Sequence, residues 1–212
     1  MARPARHGIA GGLLLALAWT AAACTDAPSN PSAPPSSHPQ ASAEVLPLGK
    51  SDLSLAPGSY RSPEGFRPGI SLVVPQGWSS VHRGSDGFDL GRPDPERDAP
   101  EVAVVFLAST QKTAAEALAR VTRRPSGWTK PRAARIGGLT ATSADLVGGR
   151  GQVVASPSGG IALDAAPGQR MRVYAVDVAG APLLVVVLVP DGGRWRDLLP
   201  DVEALLGSVA AV

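Results

Sequence analysis

Residues 171–189, MRVYAVDVAGAPLLVVVLV, decide the fold. Over residues 171–178 the side chains alternate as in a β-strand, so that two sets fall on opposite sides. One set is Met171, Val173, Ala175 and Asp177, and the other is Arg172, Tyr174, Val176 and Val178. A turn over residues 179–182 then leads into residues 183–189, the most apolar strand of the domain. The pattern predicts an antiparallel hairpin whose second strand is buried.

Shorter apolar runs elsewhere in the chain predict further strands. They are Ile70–Val74, which ends at a Pro-Gln-Gly turn; 88–90, after a Gly-Ser-Asp-Gly turn; 102–107, apolar enough to be buried on both faces; 133–136 and 139–147, a hairpin across Gly137 and Gly138; and 161–165.

Two segments have a helical period instead. Residues 113–124 carry apolar residues three or four apart, with Thr113 as N-cap, Glu116 completing a capping box and Pro125 as the stop. The last segment has an apolar stripe made of Trp195, Leu198, Leu199, Val202, Leu205, Leu206 and Val209. Because Pro200 interrupts this stripe, we expect a first turn, a bend and then the main helix.

The order of these elements indicates an α+β fold. Connections of hairpin length force neighbouring strands to be antiparallel, which excludes a doubly wound parallel sheet. We therefore expect one domain over residues 46–212, with a mainly antiparallel sheet and two helices packed on it.

The N-terminal segment has the layout of a bacterial lipoprotein signal. Arg3 and Arg6 precede an apolar run over residues 9–23, and Ala21-Ala22-Ala23-Cys24 resembles a lipobox. The pattern predicts a signal peptide over residues 1–23 and lipid attachment at Cys24, which would hold the protein at the outer face of the cell membrane. Ala21 stands where a lipobox usually has Leu, and the Ala-x-Ala pattern also allows ordinary cleavage and release as a soluble protein.

Residues 24–45 are predicted to form a disordered tether. Thr25 is followed by a run rich in Pro, Ser and Ala without aromatic residues, TDAPSNPSAPPSSHPQASAEV up to Val45. Such a segment cannot bury enough apolar area to offset the entropy lost on ordering.

Charge and composition exclude several functions. Removal of Arg3 and Arg6 takes the 20 Lys and Arg residues to 18, which equals the 18 Asp and Glu residues. A neutral chain lacks the field that attracts nucleic acid. Cys24 is the single cysteine of the chain, and His82 is the single histidine of residues 46–212. We therefore expect no disulfide and no metal site built from His or Cys side chains. We expect no metal and no cofactor.

One segment matches a catalytic spacing. Ser109-Thr110-Gln111-Lys112 is a Ser-x-x-Lys sequence, in which a lysine one helical turn away activates the serine of penicillin-recognising enzymes. No Ser-Asp-Asn or Lys-Thr-Gly element follows, so a polar loop and helix cap are the favoured interpretation.

Other candidate sites have ordinary structural interpretations. Asp94, Glu96 and Asp98 are interpreted as a solvated loop and not a calcium site, because two arginines and two prolines lie among them. Glycine-rich residues 148–151 and 158–160 are interpreted as loops and not phosphate cradles. Trp78, Trp128 and Trp195 are expected at the core or its rim, and His82 at the surface.

Several segments resemble actinobacterial lipoproteins and surface domains. They are PGSY (57–60), FRPGISLVVPQGW (66–78), GGLT (137–140) and VYAVDV (173–178). The order of elements is similar to the PsbP-like α/β/α sandwich of LpqN-type lipoproteins. The resemblance implies a fold and a location at the cell envelope, and it identifies no catalytic residue.

Together these observations favour a lipid-anchored, non-enzymatic binding module of the cell envelope, whose partner is an envelope protein or a small apolar ligand. Two alternatives remain open: a serine hydrolase or acyltransferase using Ser109 and Lys112, and a carrier that encloses an apolar ligand.

The lipid anchor is directly testable. Metabolic labelling with a palmitate analogue is expected to mark the protein, which should stay with the cells, because acyl chains on Cys24 partition into the membrane. Cys24→Ala is the comparison. An unmarked wild-type protein in the spent medium would contradict the anchor.

Overall fold

A computed structural model describes residues 43–47, 53–82, 86–97, 99–123, 127–147, 151–154 and 162–212. The strands are β1 (Glu44–Val45), β2 (Leu53–Ser54), β3 (Gly58–Arg61), β4 (Ile70–Val74), β5 (Ser79–His82), β6 (Gly87–Pro93), β7 (Pro100–Ala108), β8 (Arg132–Ile136), β9 (Leu139–Leu146), β10 (Gly151–Val154), β11 (Ala162–Ala165), β12 (Arg170–Val178), β13 (Ala181–Val189) and β14 (Ala210–Ala211). The helices are α1 (Ala114–Thr122) and α2 (Trp195–Gly207), the latter preceded by a 3-10 turn at Gly192–Arg194.

The main sheet has eight antiparallel strands in the order β2-β5-β6-β7-β13-β12-β9-β8. The hairpin predicted from residues 171–189 is β12 and β13, and it lies in the middle of this sheet with β7. The fold is therefore α+β and mainly antiparallel, as the sequence predicted.

The hairpin turn is tighter than predicted. Its loop is only Ala179 and Gly180, both with positive φ, while Ala181 and Pro182 already belong to β13. Two residues with positive φ form the turn whose twist matches that of the flanking strands.

Two separate hydrophobic clusters cover the two faces of the main sheet. The central strands contribute alternately to both, as β7 does with Val104 and Phe106 in one cluster and Val105 and Leu107 in the other. The apolar stripe of α2 packs into the first cluster, and that of α1 into the second. The sheet is thus a middle layer between the two helices.

A second sheet, β1-β3-β4-β14, joins the α2 side of the domain. Leu72 and Val74 of β4 are buried in the same cluster as α2. β1 pairs parallel to β3, so the paired residues include Glu44 and Val45, which the sequence analysis placed in the tether.

Helix α1 begins where the sequence predicted. The hydroxyl of Thr113 accepts a hydrogen bond from the Glu116 N–H, and the Glu116 carboxylate accepts from the Lys112 N–H, one residue before the cap. The carboxylate of Asp177 accepts from the Ala114 N–H at 2.9 Å. The Asp177 carboxylate and the Thr113 hydroxyl thus satisfy donors of the first turn, where the helix dipole also favours the negative charges of Asp177 and Glu116.

Helix α2 runs without interruption from Trp195 to Gly207 through Pro200, so the predicted first turn and main helix form one helix. The hydroxyl of Ser208 donates to the carbonyl of Leu205 and accepts from the Val73 N–H, which ties the helix end to β4. None of the helices in the described ranges is long and apolar enough to cross a membrane.

Gly137, in the β8–β9 turn, lies directly under the end of α2. It has a φ of 55°, and a Cβ at this position would lie 1.8 Å from the Val209 carbonyl oxygen. Glycine is required here by backbone angle and by space.

Because β13 is buried on both faces, we expect a substitution in it to cost more stability than the same substitution at an exposed strand position. Val186→Ala is expected to lower the free energy of unfolding by about 2 kcal/mol, because Val186 is fully buried and its deletion leaves a cavity. Val73→Ala is the same change on a strand at a position that is 48% exposed, with an expected cost under about 0.5 kcal/mol. Urea unfolding of both variants measures the difference, and equal costs would contradict this account of the core.

Candidate functional site

A groove of about 340 Å³ lies between α2 and the strands at one edge of the main sheet. Its floor contains Arg132, Ser143 and Tyr174, which are aligned across β8, β9 and β12. Glu203, Leu206 and Gly207 of α2 form the opposite wall.

Strand alternation explains why these polar side chains face α2. Ala141 and Val176 pair with each other and lie in the cluster that contains α2. Ser143 and Tyr174 are two residues further along the same strands, so they share that face. The face of the sheet that lies toward α2 therefore changes from apolar to polar along these strands.

Asp145 holds two of the arginines at the end of this floor. Its carboxylate accepts from Arg132 Nη2 at 2.7 Å and from Arg172 Nε at 2.5 Å. The Asp145 N–H donates to the hydroxyl of Thr129, which fixes the backbone behind the carboxylate. The positions of both guanidinium groups are therefore set by one acid.

Arg172 is also held by aromatic rings. Its guanidinium carbon lies 5.0 Å from the ring centre of Trp195 and 5.9 Å from that of Tyr174, within the range of cation–π attraction. Burial by itself would lower the pKa of Arg172, but hydrogen bonds with Asp145 and Tyr174 raise the pKa above its ordinary value. The group remains a cation at all physiological pH values.

Positive charge is in excess in the groove. Arg132, Arg135 and Arg172 line it, against the carboxylate of Glu203 and that of Asp145, which pairs with both Arg132 and Arg172. Ser143, which is 2% exposed, lines the groove beside these arginines. Guanidinium donors beside a hydroxyl donor suit a carboxylate or phosphate group.

A second charged cluster lies at the tip of the β6–β7 hairpin. Glu101, which is buried, contacts Arg92 at 2.5 Å and Arg194 at 2.9 Å, and Arg92 also pairs with Asp201 of α2. Asp94 lies within 4.0 Å of Arg97 and Arg194. Since each of these acids faces an arginine, this cluster ties the hairpin to α2 and has no excess of positive charge.

The same contacts bear on the calcium hypothesis. Asp94 is paired with arginines and accepts from the Glu96 N–H, while Asp98 lies outside the described residues. Within the described ranges, no group of three or more His, Cys, Asp or Glu side chains is placed to hold a metal ion.

The structure places Ser109 and Lys112 in the loop before α1, not on a shared helix face. The Ser109 hydroxyl accepts from the Gln111 N–H, and Lys112 is exposed. The helical spacing that the Ser-x-x-Lys hypothesis requires is therefore not formed.

The other residues that the sequence singled out do not come together at one site. Trp78 and Trp195 are buried, and Trp128 is partly buried against the α1 side of the core, as predicted. His82 ends β5. Cys24 and residues 148–150 and 158–160 lie outside the described residues.

Sequence reasoning missed the groove because its residues come from distant parts of the chain. One signal was present: Arg172 occupies the strand face that it shares with Tyr174, Val176 and Val178. An arginine on a face that is otherwise buried needs a partner.

Comparisons with known proteins give structural likenesses only. No protein-family model matches the chain, and no curated protein matches it. A crystal structure from Bacteroides thetaiotaomicron is similar with 12% identity and a TM-score of 0.42, over 68% of this chain and 45% of that one, so this chain spans under half its length. Cyanobacterial PsbP (CyanoP) from Synechocystis is similar with 11% identity and a TM-score of 0.43, over 78% of this chain and 99% of that one. The Ran-binding protein Mog1p of Saccharomyces cerevisiae is similar with 12% identity and a TM-score of 0.38, over 68% of this chain and 90% of that one.

The role of Asp145 predicts a specific loss of stability. Asp145→Asn is expected to lower the free energy of unfolding by about 2 kcal/mol, because a largely buried Arg172 would lose its counter-ion. Asp197→Asn, the same change on the exposed first turn of α2, is expected to cost less than about 1 kcal/mol. Chemical unfolding compares them, and a cost for Asp145→Asn no larger than the control would refute the bridging role.

Proposed function

We propose that this protein is a lipid-anchored binding module of the cell envelope, and that the groove between α2 and strands β8, β9 and β12 receives an acidic group of its ligand. One observation carries the proposal: Arg132, Arg135 and Arg172 line one groove together with Ser143, and they outnumber the two carboxylates beside them, Glu203 and Asp145.

The anchoring part of the proposal rests on the N-terminal sequence. A signal peptide over residues 1–23, lipid on Cys24 and a tether up to residue 45 would hold the domain outside the membrane. The finer family assignment, an actinobacterial lipoprotein with a PsbP-like domain of the LpqN type, belongs to the same proposal. It agrees with an α+β sandwich at the end of a tether.

The groove is prepared for an anion before a ligand arrives. Asp145, Tyr174 and Trp195 hold Arg172, so little side-chain entropy is lost when a ligand contacts it. Arg132 is 55% exposed and has further donors beyond the one that Asp145 accepts. A planar guanidinium fork then gives directional hydrogen bonds to a carboxylate or phosphate.

The geometry favours this function over carriage of an apolar ligand. An apolar carrier needs an apolar cavity with few polar groups. The groove instead presents arginine, serine, tyrosine and glutamate side chains.

The proposal predicts a localised response to inorganic phosphate. Titration of the purified protein, followed by amide NMR shifts, is expected to move resonances around Ser143, Gly137 and Gly207 at millimolar phosphate. Arg132→Gln should weaken the response about tenfold, because a charge-assisted hydrogen bond is removed. Arg120→Gln removes the same charge from exposed α1, on the opposite face of the sheet, and should leave the affinity unchanged.

Two results would contradict the proposal. One is a set of shifts spread over the surface without a maximum at the groove. The other is an equal effect of the two arginine substitutions, since this would show that phosphate responds to net charge alone.

A further inference from the structure

Strand β8 is an open edge of the main sheet, and it also forms one side of the groove. The two-residue turn at Gly137 and Gly138 makes Ile136 and Leu139 a hydrogen-bonded pair. Because such pairs alternate in an antiparallel ladder, Ala134 and Arg132 also bond to β9. The N–H and C=O groups of Ala133 and Arg135 therefore point outward.

These outward groups make no hydrogen bond to any described residue. They have the two-residue spacing that an added strand requires. Ala133, Ala134 and Arg135 are also groove-lining residues, so a strand laid along β8 would border the groove.

The charge of this edge indicates which kind of strand could pair with it. Lys130, Arg132 and Arg135 are all exposed along it. A second copy of the same edge would place like charges opposite one another, which opposes pairing between two copies. A segment rich in Asp and Glu would instead find opposite charges on both sides.

We propose that β8 binds an extended acidic segment of a partner protein as an added strand, with acidic side chains reaching the arginines of the groove. This inference rests on the proposed function, because it names the class of ligand for that groove. Backbone hydrogen bonds to Ala133 and Arg135 would supply the pairing, and the arginines would supply the selectivity.

The test uses a synthetic peptide of alternating glutamate and valine, with a lysine–valine peptide as the charge control. Hydrogen exchange of the purified protein is measured with and without each peptide. The glutamate peptide is expected to slow exchange at the amides of Ala133 and Arg135 at least about tenfold, because both become hydrogen-bonded. The Ala134 amide, already bonded to β9, should change little, and the lysine peptide should protect none of the three.

A matched pair of variants tests the backbone contact. Ala133→Pro removes the outward N–H without breaking a bond to β9, a position where a strand tolerates proline, and should weaken the peptide at least about fivefold. Ala133→Val keeps the N–H and should bind as the wild type does. Phosphate shifts at the groove show whether Ala133→Pro remains folded, and the exchange data on the wild type stand without this variant.

The outcomes separate this inference from the proposed function. If phosphate binds at the groove but the glutamate peptide leaves the Ala133 and Arg135 amides unprotected, the added strand is refuted and the anion site stands. If protection arises with rising protein concentration and no peptide, the edge pairs with a second copy and the inference is overturned. If neither phosphate nor peptide binds, both proposals fail.

Discussion

The middle strands of the sheet must bury both of their faces, and the rest of the fold follows from this constraint. In β7 and β13, adjacent side chains go alternately into two apolar clusters that do not share residues. Neither face can be left in water, because each fully buried aliphatic side chain contributes about 1.5–3 kcal/mol. One helix covers each face of the sheet: α1 follows β7 in the chain, and α2 follows β13. The second sheet extends the cover on the α2 side.

The polar groove lies between α2 and the β8 edge of the sheet. Along one face of β12 the side chains change from Val176 to Tyr174 and Arg172 as the edge of the α2 cluster is approached. A charge at such a boundary needs partners, and Arg172 has an acid on β9 and the ring of Trp195 at the start of α2. Arginine suits this position better than lysine, since its flat group stacks on a ring while donating to a carboxylate in its plane. The same contacts that close the core thus fix a cation beside open solvent.

The parts of the fold that the sequence predicted are those with a local signal. Alternation indicated β12, apolar runs indicated β4, β7 and β13, and caps indicated α1. The two-residue strands β1, β2 and β14 are too short to alternate, and their pairing depends on distant segments. The groove was beyond local pattern for the same reason: Arg132, Ser143 and Glu203 meet only through sheet order and helix packing. Ser109 and Lys112 show the converse, a local spacing that the loop before α1 does not turn into a helical pair.

The two charged clusters differ in whether all of their positive charge is paired with acids. We infer a structural role for the paired cluster and a binding role for the cluster with unpaired charge. At the β6–β7 tip, Asp94, Glu101, Asp191 and Asp201 each face an arginine, so these arginines are paired within the molecule. At the β8 edge, Asp145 matches only part of the positive charge, and the remainder lies beside backbone groups that none of the strands in the described ranges covers. An open strand edge can form backbone hydrogen bonds with any extended chain, including the same edge of a second copy, unless charged side chains oppose the pairing. Arginines along the edge repel the identical edge, and in the proposed binding mode the same charges would attract an acidic segment, so one feature would give both protection from self-pairing and selectivity for a partner.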